Sequence, residues 1–152
     1  MINEKISEIR NIKAGENVTI IKPVNLYECE LGNEVFIGPF VEIQKNVKIG
    51  SGTRIQSHSF ICEFVEIGNN CFISHGATFI NDKFIDGGPA KGDKNKWLST
   101  KIGDNVSIGS NATILPVSIC DNVIIGAGAV VTKDISIKGF YVGNPAKLLR
   151  KL

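Results

Sequence analysis

The chain has 152 residues, of which 43% are hydrophobic and 21% are charged, so it is long enough for one domain with a substantial core and is unlike disordered proteins. A formal net charge of +2 argues against a strongly basic surface for nucleic acid or an anionic membrane. No apolar run reaches the roughly 20 residues of a membrane span. Residues 1–15 lack the apolar centre of a signal peptide, so we expect a cytoplasmic protein.

Residues 1–17 lie outside the clearest repeat, and we expect them to cap one end of the fold. Residues 12–30 carry a weak period of six, which is plain from Leu31 onward, as in LGNEVF, IGPFVE and IQKNVK, and we expect residues 18–80 to form coils. The first position of each unit is aliphatic and the fifth is small or β-branched. The first positions are Leu31, Ile37, Ile43, Ile49, Ile55, Ile61, Ile67 and Ile73, and the fifth are Val35, Val41, Val47, Thr53, Ser59, Val65, Cys71 and Ala77.

A period of six does not suit an amphipathic helix, in which apolar residues recur three and four positions apart. It suits short strands joined by turns, with the large aliphatic residue inward and glycine relieving the backbone at the bends. Three strands make one triangular coil of about 18 residues, and stacked coils form parallel sheets. The sequence therefore predicts an all-β parallel β-helix of hexapeptide repeats, in preference to an ordinary β-sandwich.

The repeat is interrupted at residues 81–101, a polar segment rich in glycine and lysine that we expect to form a long external loop. The period returns at Ile102 and continues to residue 139, with one unit a residue short near Pro116. For residues 140–152 we predict a turn at 143–145 and a short basic helix. Three leucines of this helix should face the coil: Leu148, Leu149 and Leu152.

The four cysteines make no C-x-x-C pair, and the chain lacks the histidines that a zinc site would add to them. We expect reduced thiols in the core or in turns. They are Cys29, Cys62, Cys71 and Cys120.

Three stretches are more specific than the repeat itself: HGATFINDKF from His75, SNATILPVSICDNVIIGAGAVVTKDI from Ser110, and VGNPAKLLR from Val142. Together they resemble the left-handed β-helix acyltransferases, in particular the N-acetyltransferases that modify nucleotide-linked amino sugars for bacterial surface glycans. The resemblance implies a left-handed coil and transfer of acetyl from acetyl-CoA to an amine, typically at C-3 of a dTDP- or UDP-linked sugar. It also implies a homotrimer with acetyl-CoA between neighbouring subunits, and no metal.

Attack of an amine on a thioester needs close placement, oxyanion stabilisation and removal of one proton. His75 is the candidate base or hydrogen-bond partner, and its alternative role is that of a structural turn histidine. The resemblance places Asn81 and Asp82 on the sugar beside the amine; the alternative for this pair is an Asx turn that starts the loop. Further candidates around the acceptor are Lys83, Phe84 and, one coil earlier than His75, His58, for which we favour a structural role.

The coenzyme candidates lie in the C-terminal third of the chain. Small residues leave backbone groups open to the pantetheine arm, while basic groups of the last coil and tail would meet the phosphates and Pro145 the adenine. The alternatives are corner packing and a solvated basic tail. The candidates are Gly109, Ser110, Ala127, Gly128, Lys133, Pro145, Lys147 and Arg150.

Three other functions compete with this prediction. An O-acetyltransferase of the same fold, acting on a sugar or serine-like hydroxyl, would depend on a histidine base far more than an N-acetyltransferase does. A hydratase resembling the γ-class carbonic anhydrases needs three histidines, whereas this chain has only His58 and His75. A non-catalytic assembly module would need neither HGATFIND nor the long polar loop.

Overall fold

The computed structural model describes residues 2–3 and 7–152, which wind through many very short strands. In chain order the strands are β1 (Ile9–Arg10), β2 (Lys13–Ala14), β3 (Thr19–Ile20), β4 (Asn25–Tyr27), β5 (Glu30–Leu31), β6 (Phe36–Ile37), β7 (Glu42–Ile43), β8 (Lys48–Ile49), β9 (Arg54–Ile55), β10 (Phe60–Ile61) and β11 (Val65–Ile67). They continue as β12 (Phe72–Ile73), β13 (Thr78–Phe79), β14 (Thr100–Ile102), β15 (Ser107–Ile108), β16 (Thr113–Ile114), β17 (Ser118–Ile119), β18 (Val123–Ile125), β19 (Val130–Val131), β20 (Gly139–Val142) and β21 (Lys147–Lys151). A 3-10 helix, Lys94–Lys96, lies between β13 and β14.

Successive strands join three different sheets in rotation, so the chain climbs as a solenoid. Sheet 1 has the order β1-β4-β7-β10-β13-β16-β19, sheet 2 the order β17-β14-β11-β8-β5-β2, and sheet 3 the order β21-β20-β18-β15-β12-β9-β6-β3. Every neighbouring pair except β20 and β21 is parallel, as in Phe72↔Arg54 and Ile73↔Ile55. The predicted parallel β-helix of hexapeptide repeats is confirmed: it has about seven turns and is consistent with a left-handed coil.

The interior is built from the two repeating positions that the sequence singles out. The aliphatic first positions stack in register, for example Ile43 beside Ile61 in sheet 1, and both side chains are fully buried. The small fifth positions, from Val35 to Ala77, are buried as well. These side chains must be small because the interior of the coil has no room for a larger group beside the corner.

A ladder of polar side chains holds the corner between sheets 2 and 3 in register. Each side-chain oxygen accepts a hydrogen bond from a backbone N–H group of the preceding coil, at 2.7 to 3.1 Å. These contacts satisfy backbone donors that the turns leave unpaired. The residues of the ladder are Asn33, Ser51, Asn69, Asp104 and Asp121.

The first coil begins earlier than predicted. Strands β1 and β2 pair with β4 and β5, so residues 9–14 belong to the solenoid and not to the predicted N-terminal cap of residues 1–17. Residues 1 and 4–6 of that cap lie outside the described residues.

The predicted C-terminal helix is wrong. Residues 147–151 form β21, which pairs antiparallel with β20 at the end of sheet 3. Leu148, Leu149 and Leu152 do not face the coil, since they are 40%, 61% and 45% exposed. The physical reason is the open edge of β20, whose unpaired N–H and C=O groups are satisfied by a returning strand but not by a helix.

The interruption of the repeat is a loop that leaves after β13 and returns at β14. The 3-10 helix within it is capped by Asp93, whose carboxylate accepts the N–H of Asn95 at 3.1 Å. Among the described residues no helix has the length and apolar character needed to span a membrane.

Candidate functional site

One edge of the solenoid, where strands of sheet 3 turn into strands of sheet 1, carries four of the eight predicted coenzyme residues together with His75. Asn111 donates its N–H to the carbonyl of His75 at 3.0 Å, and Gly128 donates to the carbonyl of Ser110 at 2.8 Å. His75, Ser110 and Ala127 therefore occupy equivalent places in three successive coils. We call this edge, residues 56–58, 74–76, 109–111 and 126–128, the histidine corner.

The histidine corner has a tightly packed, left-handed backbone. His58, Gly76, Asn111 and Gly128 stack along it with φ values between 57° and 69°, as does Phe40 of the coil before. This backbone favours glycine, although phenylalanine, histidine and asparagine also adopt it here, and a Cβ on Gly76 would displace the end of the Asn111 side chain.

His75 is exposed and its Nδ1 lies 2.8 Å from the hydroxyl oxygen of Ser57, one coil below. A hydroxyl can either donate or accept in such a contact. When Nδ1–H donates to Ser57, Nε2 carries the free lone pair and can accept a proton. The sequence analysis missed Ser57, although its spacing of 18 residues from His75 is the length of one coil.

His58 lies one coil below Gly76. Its ring stacks on Phe40 with centroids 4.9 Å apart, and its backbone donates to the carbonyl of Pro39 at 3.2 Å. These contacts agree with the structural role favoured for His58.

Asn81 and Asp82 start the loop on the far side of β13 from His75. Asp82 accepts backbone N–H groups with both oxygens, from Phe84 at 2.9 Å and from Ala90 at 2.7 Å. The first contact is the Asx turn that the sequence allows as an alternative. Each carboxylate oxygen has a second lone pair, so Asp82 retains capacity to accept a hydrogen bond from a ligand.

Asn81 ties the start of the loop to the coil below. Its side-chain amide donates to the carbonyl of Glu63 at 3.2 Å, and its own carbonyl accepts the N–H of Leu98 at 2.9 Å. Lys83 and Phe84, the neighbouring candidates, are both exposed.

A buried carboxylate lies beneath this loop. Glu63 is 8% exposed and forms a paired contact with Lys94, whose Nζ lies 3.0 and 2.8 Å from the two carboxylate oxygens. Phe64 and Trp97 meet beside it with ring centroids 6.4 Å apart. Glu63 was not predicted from the sequence, because its partner Lys94 lies in a loop outside the repeat.

His75 precedes β13 along the chain and the Asn81–Asp82 pair follows it. Six residues of fully extended chain span at most about 20 Å. Within the described residues no hydrogen bond joins His75 to either residue of the pair.

The tail candidates lie beside the last coil of the histidine corner. Ala146 donates to the carbonyl of Val130 at 2.8 Å, which fastens the β20–β21 hairpin next to β19. The guanidinium of Arg150 sits 5.8 Å from the centre of the Phe140 ring. The other tail candidates are exposed: Lys133, Pro145 and Lys147.

A groove of about 450 Å³ runs along sheet 2 beside the return of the loop. Its floor alternates in charge along the register Glu30, Lys48, Glu66 and Lys101. A hydrogen bond from Lys13 lowers the pKa of the Glu30 carboxyl. None of the site residues predicted from the sequence is among those that line it: Glu28, Glu30, Asn46, Val47, Lys48, Phe64, Glu66, Ser99, Thr100 and Lys101.

All four cysteines are free thiols, as predicted. Burial raises the pKa of Cys29 to about 11 and that of Cys62 to about 12, so both are poor nucleophiles. In the part of the chain that the structure describes, no three His, Cys, Asp or Glu side chains are grouped to hold a metal ion.

Two family models match parts of the chain: the bacterial transferase hexapeptide (six repeats) at residues 28–63, and the hexapeptide repeat of succinyl-transferase at residues 99–133. These matches support the hexapeptide-repeat transferase family. Among curated relatives, the bifunctional protein GlmU of Listeria monocytogenes serotype 4a is 33% identical over 147 residues, covering 85% of this chain. GlmU of Clostridium beijerinckii is 34% identical over 140 residues, covering 88%. The chain spans 30% and 27% of the length of these relatives.

Solved structures of transferases share the fold over nearly the whole chain. A mutant of AntD, an N-acyltransferase from Bacillus cereus in complex with dTDP and coenzyme A, has a TM-score of 0.81 at 25% identity and covers 91% of this chain and 83% of its own. Galactoside acetyltransferase in complex with coenzyme A has a TM-score of 0.66 at 28% identity, covering 93% and 65%. The chain thus resembles both an N-acyltransferase and a galactoside acetyltransferase, each in complex with coenzyme A.

Proposed function

We propose that this protein transfers an acetyl group from acetyl-CoA to the amino group of a nucleotide-linked amino sugar, of the 3-amino class, in bacterial surface-glycan biosynthesis. The observation that carries the proposal is the match over most of both chains to an N-acyltransferase that holds dTDP and coenzyme A. The free carboxylate lone pairs of Asp82, at the base of the one long loop, provide a matching partner for an amine.

The reaction forms a C–N bond to the acetyl carbonyl and breaks its C–S bond, giving an amide and the thiol of coenzyme A. Asp82 accepts a hydrogen bond from the acceptor amine and orients it, while Asn81 contributes its amide oxygen to a sugar hydroxyl. Backbone N–H groups stabilise the oxyanion. His75 takes the amine proton through Nε2 when Nδ1 donates to Ser57, and then delivers it to the leaving thiolate.

His75 and Asp82 lie on opposite sides of β13 along the chain, and the proposed site is one shared between subunits. In this arrangement the loop of one copy, with Lys83 and Phe84, meets the histidine corner of another copy in a homotrimer. Light scattering at micromolar protein should give three times the chain mass. A measured mass equal to that of one chain would refute a site shared between subunits.

Acetyl-CoA would lie along the histidine corner of the last coils. A Cβ on Gly109 would meet the backbone of Ala127, so glycine keeps this part of the surface low and its main chain accessible. The basic side chains of Lys133, Lys147 and Arg150 would bind the phosphates, with Pro145 against the adenine. Reduced thiols agree with a cytoplasmic location, where acetyl-CoA is available.

The test is thiol release from acetyl-CoA with dTDP- and UDP-linked 3-amino and 4-amino sugars. The matched control for each is the same nucleotide sugar with a hydroxyl at that carbon. Turnover on the amino sugar alone supports the proposal. Turnover on hydroxyl acceptors alone would favour O-acetyl transfer, the second candidate suggested by the similarity to galactoside acetyltransferase. If calorimetry detected no binding of coenzyme A, the result would contradict the proposal and support a non-catalytic assembly module.

A further inference from the structure

We infer that Glu63 is a positioning residue for the acceptor site, acting through an ion pair with Lys94 that holds the loop and thereby sets the orientation of Asn81 and Asp82. This inference rests on the proposed function, which places the acceptor amine at Asp82.

The pair has the geometry of a fixed contact. Both oxygens of Glu63 lie within 3.0 Å of the Lys94 ammonium, and the Glu63 side chain is only 10% exposed. A carboxylate removed from water is costly to leave without a cation. The loop that carries Lys94 is therefore drawn onto the coil.

Glu63 and its neighbour Phe64 touch the loop at both of its ends. At the exit, the Glu63 carbonyl accepts the amide of Asn81. At the return, the Phe64 carbonyl accepts the N–H of Thr100 at 3.1 Å, and its ring meets Trp97. The ammonium of Lys94 also lies 5.7 Å from the Trp97 ring, which joins the middle of the loop to the same platform.

Loss of the Glu63–Lys94 ion pair should affect binding of the acceptor and not binding of the coenzyme. Without the ion pair, neutral contacts alone would join the exit of the loop to the coil, chiefly the bond from the Asn81 amide to the Glu63 carbonyl, and Asp82 would sample a wider range of orientations. The proposed coenzyme residues lie on the histidine corner or in the last coil and tail, and make no contact with Glu63 among the described hydrogen bonds. If the ion pair were purely structural, its removal would lower the stability of the protein without affecting the kinetics of the amino sugar more than those of acetyl-CoA.

The test compares Glu63→Gln and Lys94→Gln with Lys94→Arg, which keeps the charge, and with Asp86→Asn. The last removes a second ion pair of the same loop, between exposed Asp86 and Lys96 at 2.6 Å, and is the matched control. We expect both glutamine variants to lose about 10- to 100-fold in kcat/KM for the amino sugar, with the KM for acetyl-CoA unchanged. Lys94→Arg should retain most activity, and Asp86→Asn should match the wild type.

Trypsin cleavage after exposed Lys91 reports the loop directly and needs no substrate. We expect faster cleavage in Glu63→Gln than in Asp86→Asn, at equal circular dichroism. Equal cleavage, or an unchanged acceptor kcat/KM in both glutamine variants, would overturn the inference. Absence of turnover in the wild-type protein would instead refute the proposed function, while the cleavage comparison would still decide whether Glu63 holds the loop.

Discussion

Replacing Asp82 by asparagine is the most direct perturbation of the proposed acceptor site. The side chain keeps its size, but one carboxylate oxygen becomes an NH2 group and the charge is lost. Because both oxygens accept backbone N–H groups, from Phe84 and from Ala90, one of these contacts would then set a donor against a donor. The variant should therefore weaken both the amine contact and the local fold of the loop.

The magnitude follows from the bonds at stake. A hydrogen bond to a charged group contributes about 1.5–3 kcal/mol. If the carboxylate makes one such bond to the amine in the transition state, its loss lowers kcat/KM by roughly 10- to 150-fold, since about 1.36 kcal/mol corresponds to a factor of ten.

The assay is thiol release at saturating acetyl-CoA while the amino sugar is varied. Asp86→Asn, which neutralises an exposed carboxylate of the same loop, is the control and should retain wild-type kinetics. Trypsin cleavage after Lys91 shows whether the Asp82→Asn variant has lost only the charge, in which case the cleavage rate is unchanged, or has also loosened the loop, in which case cleavage is faster. Wild-type kcat/KM in Asp82→Asn would refute the assignment of the amine to this carboxylate.

Three further predictions concern the base, the core and a buried thiol. His75→Ala should lower N-acetyl transfer by less than about tenfold, whereas a loss of about 10²- to 10⁴-fold in the thiol-release assay would indicate an obligatory base and hence a hydroxyl acceptor. Ile61→Ala should lower the free energy of unfolding, measured in urea, by about 2–5 kcal/mol, because Ile61 is fully buried. Ile85→Ala, at a loop residue that is 60% exposed, should change this free energy by less than about 0.5 kcal/mol. Equal losses in the two variants would contradict the role of the stacked aliphatic residues in the core. Burial raises the pKa of Cys62 from 9.0 to about 12, so the stability that its protonated thiol contributes is present below pH 9 and lost as pH rises toward 12. Over that pH range the melting temperature of the wild type should therefore fall more steeply than that of Cys62→Ala. Parallel plots of melting temperature against pH would contradict this prediction.

The repeat and its interruption could be predicted from the sequence because they are local patterns copied many times. An isoleucine at every sixth position has only one way to be buried in all copies, which is to point into a coil, as Ile43 and Ile61 do. The same regularity marks residues 81–101 as a segment outside the coil, and the structure places the loop between β13 and β14.

The tail shows where local pattern is insufficient. The run KLLRKL is compatible with a short helix, yet residues 147–151 form β21. The partner decides this outcome, since β20 presents an edge of backbone donors and acceptors that only another strand can satisfy.

The candidate site divides in the same way. The sequence alone supplied the residue types, with His75 and Asp82 in one short motif, but it could not show which contacts each side chain makes. Only the tertiary structure sets Ser57 under His75 and Glu63 under Lys94, residues 18 and 31 positions apart. A loop contact of this kind has no repeating partner along the chain, so the coil beneath the loop decides which carboxylate is buried and which lysine it holds.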